Sequence, residues 1–150
     1  MRIVIQRVLS ASVTIDNSIF SAIDTGLLIL LGIEHEDTID DIDWLISKLI
    51  SLRIFNDSEG KMNLSNEDIK GSYLVVSQFT LHASTKKGNR PSFIRAAAPH
   101  LANELYSAFV QNLQRRTNQE VKTGMFGADM KVALLNDGPV TIIIDTKNKE

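Results

Sequence analysis

The sequence predicts a single α/β domain in which roughly six or seven strands are interrupted by two long helices. An apolar run at 27–33 is typical of a central strand, and residues near 39–54 and 99–116 carry apolar side chains at helical spacing. A chain of 150 residues is most simply one domain. Without a repeat or a linker, we take 1–150 as one domain with a polar tail at 146–150.

The N-terminal half begins with strand patterns. Residues 2–8 and 11–16 are rich in β-forming side chains and lie close together, which predicts a hairpin or two adjacent strands. The first segment carries charge inside its apolar stretch and has no small-residue cleavage site, so it indicates a strand and not a signal peptide. The run LLILLGI at 27–33 follows as a strand buried on both faces.

Two helices follow from capping and spacing. Thr38 precedes Asp41 by three residues, which resembles a capping box and predicts a helix over about 39–54. The turn-forming sequence NDSEGK at 56–61 comes after this helix. Pro99 opens the second helix, where its missing N–H group has no acceptor within the helix.

Three further strands are predicted in the second half of the chain. The run YLVVSQFTL at 73–81 predicts a buried strand with Thr80 at its end. The segments KVALLND and VTIIIDT predict two more strands, separated by Gly138 and Pro139.

Charge and composition exclude several classes of protein. The net charge of −2 excludes a strongly basic nucleic-acid coat protein, and the absence of cysteine excludes disulfides and thiolate chemistry. Residues 82–95 form a basic stretch without acids, which is either a phosphate-binding loop or a solvated loop. The acidic residues of 34–43 are explained by a solvated helix cap, so no metal site is predicted.

Side chains for conventional hydrolysis are scarce. His35 and His100 are expected at the surface, while His82 would share a face with Thr80 in a strand. A Thr–His pair is therefore conceivable, although a lone histidine at a strand end is more often structural. The chain has no HExxH, GxSxG or Walker motif. Residues 123–130, TGMFGADM, indicate a bulge or a tight loop.

Seven segments together resemble the D-aminoacyl-tRNA deacylase (D-Tyr-tRNA deacylase) family, from Met1 to about Asp145. In chain order they read MRIVIQRV, GLLILLGI, LRIFNDSEGKMNLS, SQFTL, KKGNRPSF, TGMFGADM and NDGPVT. SQFTL and the Gly-Pro step of NDGPVT are the two signatures of that family, and both are intact.

The resemblance implies a fold and an activity. The fold would be mixed β-sheets forming a barrel-like core flanked by two long helices. The activity would be hydrolysis of the ester that joins a D-amino acid, or glycine mischarged on tRNA-Ala, to the terminal ribose of tRNA. The resemblance also implies a homodimer that binds the 3′ end of aminoacyl-tRNA. The absence of cysteine predicts the cytoplasm, and no segment approaches the length of a membrane span. No cofactor, metal or DNA is expected.

The resemblance also assigns the pocket. Ser77, Gln78, Phe79 and Thr80 of one subunit would form it. A cis Gly-Pro step of the other subunit would enter it, and its carbonyl oxygens would exclude an L side chain. The residues carried over for that step are Gly138 and Pro139. A D side chain or a hydrogen atom would be accepted.

The same resemblance gives roles to residues around the pocket. Arg7 would hold the Gly-Pro carbonyls, and Met125 would pack near them. An oxyanion would be bound by the N–H group of Phe79 or Thr80, with one from 95–98 such as that of Ala97. The 2′-hydroxyl of tRNA would assist the attack, and Thr80 as a nucleophile is the less favoured alternative because a base is lacking. The basic side chains that would contact phosphates are Lys86, Lys87 and Arg90.

Two other functions remain open at this point. One is an RNA- or nucleotide-binding module without catalysis, which the basic loop and the missing triad favour. The other is a sister deacylase acting on L-Ala-tRNA, for which a trans Gly-Pro step is expected. The sequence itself does not display the isomer of the Gly138–Pro139 bond.

Overall fold

The computed structural model describes residues 1–149, so residue 150 of the predicted polar tail lies outside the described part. It contains eight strands, two α-helices and a short 3-10 turn at Phe79–His82. The elements are β1 (Arg2–Ile15), β2 (Ser18–Ile23), β3 (Gly26–Gly32), α1 (Ile39–Ser51), β4 (Arg53–Asn56), β5 (Met62–Ser65), β6 (Ser72–Ser77), α2 (Pro99–Arg116), β7 (Val121–Thr123) and β8 (Lys131–Asp145).

A six-stranded sheet forms the centre of the molecule. Its order is β2-β1-β3-β6-β7, with β8 paired to β1, and only the β3–β6 and β6–β7 pairs are parallel. The two ends of this order meet, because the Ser21 hydroxyl of β2 donates to the Thr123 carbonyl of β7 at 2.7 Å. The prediction of a barrel-like core flanked by two long helices is therefore confirmed.

The sheet separates two apolar layers. Side chains of β3 alternate between them: Leu27, Ile29 and Leu31 join the layer under α1 and α2, whereas Leu28 joins the barrel interior. The predicted central strand is thus buried on both faces. The predicted apolar face of α1 is also confirmed, since its buried side chains are Ile42, Leu45, Ile46 and Leu49.

The strand prediction was wrong at both long strands. The segments 2–8 and 11–16 form one strand, because β8 pairs with β1 from Arg2 to Thr14 and bridges the irregularities between them. The two strands predicted around Gly138 are likewise one strand, β8. Four strands were not predicted, β2, β4, β5 and β7, and the count is eight instead of six or seven.

Helix α1 begins as predicted and ends early. The N–H group of Thr38 donates to the Asp41 carboxylate at 2.9 Å, which is one half of a capping box. The helix ends at Ser51 and not at 54, because Arg53–Asn56 pairs with Met62–Ser65 as a hairpin. Neither helix of residues 1–149 is long and apolar enough to cross a membrane.

The acidic loop after β3 is not the solvated cap that the sequence predicts. Glu34 and Asp37 are buried, and the Met1 amine donates to the Asp37 carboxylate and to the Thr146 hydroxyl. The N–H group of Thr146 in turn donates to the Met1 carbonyl at 2.9 Å. Buried carboxylates need such partners, so the loop ties the start of β1 to the end of β8.

Asp41 makes the stability of this end of the fold dependent on pH. Burial opposes ionisation, but hydrogen bonds from Thr146, from the Thr38 N–H group and from Lys147 outweigh it and lower the pKa of Asp41 to about 2. Because the folded pKa is depressed, this stabilisation is present above pH 3.8, the ordinary value, and is lost as the pH falls towards 2. We expect Asp41→Asn to lower the free energy of unfolding by about 2 kcal/mol at pH 7.

The measurement is urea unfolding between pH 7 and pH 2. The variant should lose less stability than the wild type between pH 4 and pH 2, and Asp40→Asn, which changes an exposed carboxylate in the same turn, is the control. Parallel stability curves for wild type and Asp41→Asn would contradict the assignment.

Candidate active site

A cleft of about 670 Å³ opens at the carboxyl ends of the parallel strands β3 and β6. Its base is formed by Leu31 and Val76, and its sides by the 3-10 turn, by 93–98 and by 126–132. Most of the lining is apolar, with Ser77 and Gln78 as polar exceptions. Clefts of this size with few polar groups are typical of small-ligand sites.

The SQFTL segment is a turn and not a strand end. β6 ends at Ser77, the Gln78 N–H group makes the last ladder bond to Leu31 at 2.8 Å, and the chain then bends into the 3-10 turn. The first bond of the turn runs from the Leu81 N–H group to the Gln78 carbonyl at 3.2 Å. The amides of Phe79 and Thr80 precede the first donor of the turn, Leu81, and therefore have no acceptor within it.

Thr80 and His82 do not form a pair. Thr80 is exposed and its hydroxyl accepts a hydrogen bond from the Gln78 side chain. His82 is buried against Gly32, and neither of its ring nitrogens has a hydrogen-bond partner within residues 1–149. The prediction that the two share a face was wrong because a 3-10 turn, unlike a strand, separates residues two positions apart. His35 and His100 are exposed, as predicted.

The segment 93–98 is held against the end of β3. The Ala97 N–H group donates to the Ile33 carbonyl at 2.9 Å, and Arg95 binds the Glu34 carboxylate at 2.7 and 3.2 Å. The hydrogen bond that Arg95 donates to Glu34, together with the negative charge of Glu34, raises the pKa of Arg95. Because the Ala97 amide is occupied, the expectation that it binds an oxyanion was wrong; Ala97 only lines the cleft.

β8 leaves the sheet opposite Arg7. Gln6 pairs with Thr141 and Val8 pairs with Asn136, so 137–140 stand opposite a single residue of β1. The Asn136 side-chain amide closes the neck of this bulge by donating to the Arg7 carbonyl at 2.9 Å and to the Val140 carbonyl at 3.0 Å. The Gly138–Pro139 bond within the bulge is cis.

Arg7 supports the bulge from below. Its buried guanidinium lies 3.2 Å from the Asp137 carbonyl and 3.0 Å from the Asp137 carboxylate, and it donates to the Ile54 carbonyl at 2.6 Å. The resemblance assigns Arg7 to the Gly-Pro carbonyls, whereas the hydrogen bond found is to the residue before them. Asn136 and Asp137 were not predicted, although polar residues before a Gly-Pro step are a recognised turn signal.

The two predicted halves of the site do not meet within one chain. Gly138 and Pro139 are exposed and do not line the cleft of their own subunit. Met125 is 46% exposed and lies next to Phe126 and Gly127, which do line it. One chain therefore supplies a cleft and, separately, a projecting bulge.

The predicted basic loop leaves the cleft and returns to it. It follows the 3-10 turn, ends at Phe93 and is closed by paired backbone bonds between Ser84 and Ser92 at 2.8 and 2.9 Å. Its cationic side chains are exposed and pair with no carboxylate of residues 1–149: Lys86, Lys87 and Arg90. Arg95, by contrast, is neutralised by Glu34. The described part of the chain has no cluster of side chains that could hold a metal ion.

Comparison with known proteins supports a common origin over nearly the whole length. The family model described as D-Tyr-tRNA(Tyr) deacylase matches residues 4–145. The D-aminoacyl-tRNA deacylase of Flavobacterium psychrophilum is 61% identical over 150 residues, which is 100% of both chains. That of Bacteroides fragilis is 62% identical over the same length, again 100% of both chains.

Solved structures agree with the fold. A structure of the c-Myc DNA Unwinding Element Binding Protein is 40% identical, superposes with a TM-score of 0.93, and covers 97% of this chain and 99% of that chain. A structure described as a probable eukaryotic D-amino acid tRNA deacylase is 17% identical with a TM-score of 0.79, covering 95% and 97%. The second likeness concerns the fold alone.

The Arg95–Glu34 ion pair should limit the opening of the cleft wall. The Arg95 side chain is 57% exposed, so we expect its loss to cost roughly 1 kcal/mol. Arg95→Ala should therefore raise the hydrogen-exchange rate of the Ala97 amide about fivefold, as measured by NMR. Arg90→Ala removes an exposed cation from the adjacent loop and should leave that rate unchanged. An unchanged rate in Arg95→Ala would show that the ion pair does not hold the wall.

Proposed function

Because the chain belongs to the D-Tyr-tRNA(Tyr) deacylase family, we propose that its cleft binds the 3′ end of D-aminoacyl-tRNA and that a partner subunit selects the handedness. The protein is an enzyme, a D-aminoacyl-tRNA deacylase, which hydrolyses the ester of D-aminoacyl-tRNA. The proposal concerns how it does so: as a cytoplasmic homodimer, with Gly138 and Pro139 of one subunit facing Ser77–Thr80 of the other.

The separation of cleft and bulge carries this proposal. Gly138 and Pro139 are exposed and do not line the cleft of their own chain. The bulge is nevertheless held at its base, where Arg7 donates to the Asp137 carbonyl and Asn136 donates to the Val140 carbonyl. The same two side chains also bind the Ile54 and Arg7 carbonyls. A two-fold dimer would bring each bulge to the cleft of the partner. An ordered projection of this kind is explained if it completes a site elsewhere.

Selection would work by steric exclusion. The Gly138 and Pro139 carbonyl oxygens would stand beside the α-carbon of the substrate, where an L side chain would collide with them. A D side chain would point away, and the hydrogen atom of glycine would fit in either direction. Glycine attached to tRNA-Ala would therefore also be hydrolysed. Discrimination then needs no contact with the accepted side chain, only a clash with the rejected one.

Catalysis would rely on the backbone and on the substrate. The N–H groups of Phe79 and Thr80 would bind the oxyanion that develops on the ester carbonyl. The 2′-hydroxyl of the terminal ribose would orient the attacking water. Water adds to the carbonyl carbon, the ester C–O bond breaks, and the ribose oxygen leaves with a proton. The products are the free D-amino acid and tRNA.

Thr80 is the weaker candidate for a nucleophile. Its hydroxyl accepts from Gln78, and the nearest histidine in sequence, His82, is buried against Gly32. A threonine hydroxyl attacks efficiently only beside a base. Thr80 would thus shape the cleft, while Lys86, Lys87 and Arg90 would bind phosphates of the acceptor end without reading its sequence. Met125 would pack near the bulge that the partner contributes.

Mixed dimers test the shared site. Gly138→Ala damages the bulge, because the new Cβ would lie 2.7 Å from Val140 Cγ2 and 3.1 Å from Arg7 Nη2. Ala102→Trp fills the cleft. Each variant alone should hydrolyse D-Tyr-tRNA at least ~100-fold more slowly than the wild type. After co-refolding, the mixed dimer has one intact composite site, so about a quarter of the wild-type rate should return.

The controls separate the rival functions. L-Tyr-tRNA and L-Ala-tRNA should survive with every sample; rapid loss of L-Ala-tRNA would favour the sister deacylase. Wild-type binding of tRNA without turnover of either enantiomer would favour the non-catalytic RNA-binding module. Absence of any recovery on mixing, with dimers present by light scattering, would place the whole site in one subunit.

The role of Thr80 and of the ribose is tested together. Thr80→Ala should keep at least about a tenth of the wild-type kcat, because a hydroxyl that only shapes the cleft is not part of the reaction. A substrate with a 2′-deoxy terminal ribose should be hydrolysed ~100-fold or more slowly by wild type and variant alike. Complete inactivity of Thr80→Ala would restore the nucleophile. A normal rate on the deoxy substrate would remove the 2′-hydroxyl from the mechanism.

A further inference from the structure

A second groove, also of about 670 Å³, lies between α1 and the last residues of β8. It differs from the cleft because cationic and aromatic side chains meet in it. Its characteristic residues are Arg2, Trp44, Lys48 and Lys149, over an apolar base of Leu52 and Ile142. Trp44 is the only tryptophan of the chain, and it packs with its inner edge against the core. Nothing in the proposed reaction uses this groove.

Among residues 1–149, the groove carries positive charge with which no carboxylate pairs. The ammonium groups of Lys48 and Lys149 lie 5.6 and 4.6 Å from the centroid of the Trp44 ring, within the range of cation–π attraction. Neither lysine pairs with a carboxylate of residues 1–149. The two nearby acids are already neutralised, Asp145 by Arg2 at 2.7 Å and Asp41 by Lys147 at 3.3 Å. The ring thus holds two ammonium groups available to an anion.

The groove and the cleft open at the same end of the sheet. Arg2 pairs with Gly32 at the end of β3, one residue from Leu31, which pairs with Ser77 at the end of β6. The strands β6, β3, β1 and β8 are neighbours in this order, so Ser77 in the cleft and Asp145 in the groove are separated by three strand spacings, about 14 Å. A direct link exists as well, because Arg2 donates to the carbonyl of Leu81, within the 3-10 turn, at 2.7 Å.

We propose that this groove binds the sugar-phosphate backbone of the tRNA substrate next to its 3′ end. The inference rests on the deacylase function, which brings a polyanion to this end of the molecule. A distance of about 14 Å is a few nucleotides along a strand. Lys48 and Lys149 bind phosphates there without reading bases, and the Trp44 ring keeps their stems in place. An acidic protein would have no comparable reason to occupy a groove beside the cleft.

The intrinsic fluorescence of Trp44 reports on the groove without any turnover. Uncharged tRNA is titrated into the wild-type protein at 50 to 200 mM salt, and binding is followed in parallel by filter retention. The fluorescence should change with the same midpoint as filter retention, and that midpoint should rise with salt. Filter retention without a fluorescence change would overturn the proposal, because tRNA would then bind elsewhere.

Charge-removing variants give the second measurement. Lys48→Ala and Lys149→Ala should each lower the slope of log Kd against log salt by about 0.7 to 0.9, which corresponds to roughly five- to eightfold weaker binding at 0.1 M salt. Lys61→Ala is the matched control, because Lys61 is exposed, pairs with Glu59 and lies at the tip of the β4–β5 hairpin. The slope of log Kd against log salt for this variant should equal that of the wild type.

Two outcomes count against the groove. The proposal would be overturned if Lys48→Ala and Lys149→Ala both had the wild-type slope of log Kd against log salt. It would also be overturned if these variants bound polyglutamate, a probe for an acidic protein, more weakly and tRNA as tightly as the wild type. Because uncharged tRNA is the probe, a failure here is distinguishable from a failure of the dimer-based mechanism, which would appear only in the hydrolysis of D-Tyr-tRNA by mixed dimers.

Discussion

The pairing of β1 with β8 is the constraint on which the site depends. The ladder runs from Arg2 to Thr14, and it is tied at one end by the contacts of Met1 with Asp37 and Thr146. The residues on both sides of 137–140 are paired with β1, and only Arg7 lies opposite these four residues. Residues 137–140 must therefore leave the sheet. The buried Arg7 guanidinium then needs acceptors, and Asp137 at the base of the bulge supplies two of them, its carbonyl and its carboxylate. An unpaired buried cation costs several kcal/mol, so bulge and arginine stabilise each other.

This arrangement explains why local patterns predicted the helices better than the long strands. Helix α1 begins at a cap that two residues three positions apart encode, Thr38 and Asp41, and Pro99 marks the start of α2 in the same local way. The continuity of β1 and β8 depends on partners more than a hundred residues apart, which no window of sequence contains. SQFTL has the composition of a strand, but the ladder ends at Gln78 because β3 offers no further partner there.

The functional site shows the same difference between features that neighbouring residues encode and features that depend on distant partners. Its motifs, SQFTL and NDGPVT, were found by resemblance, and the structure gives them a turn and a bulge. The occupied Ala97 amide was beyond prediction, because its acceptor, Ile33, lies just after β3 and far from Ala97 in the sequence. The absence of a histidine partner for Thr80 was indicated by the sequence only as a shortage of histidines. The structure shows that Thr80 has no histidine partner in His82, since the turn directs His82 into the core.

The site lacks a base beside Thr80, and the chain has a small negative net charge. Both features are compatible with a tRNA substrate. A chain of net charge −2 would repel a polyanion unless its cations were gathered at one place. The acids next to the groove are neutralised in ion pairs, Asp145 with Arg2 and Asp41 with Lys147. They therefore stabilise the fold and expose little negative charge. The lysines that pair with no carboxylate of residues 1–149 then determine the electrostatic potential around the cleft. Because such a field acts on phosphates and not on bases, affinity for tRNA is separated from the recognition of the amino acid, which falls to the cleft and the bulge alone.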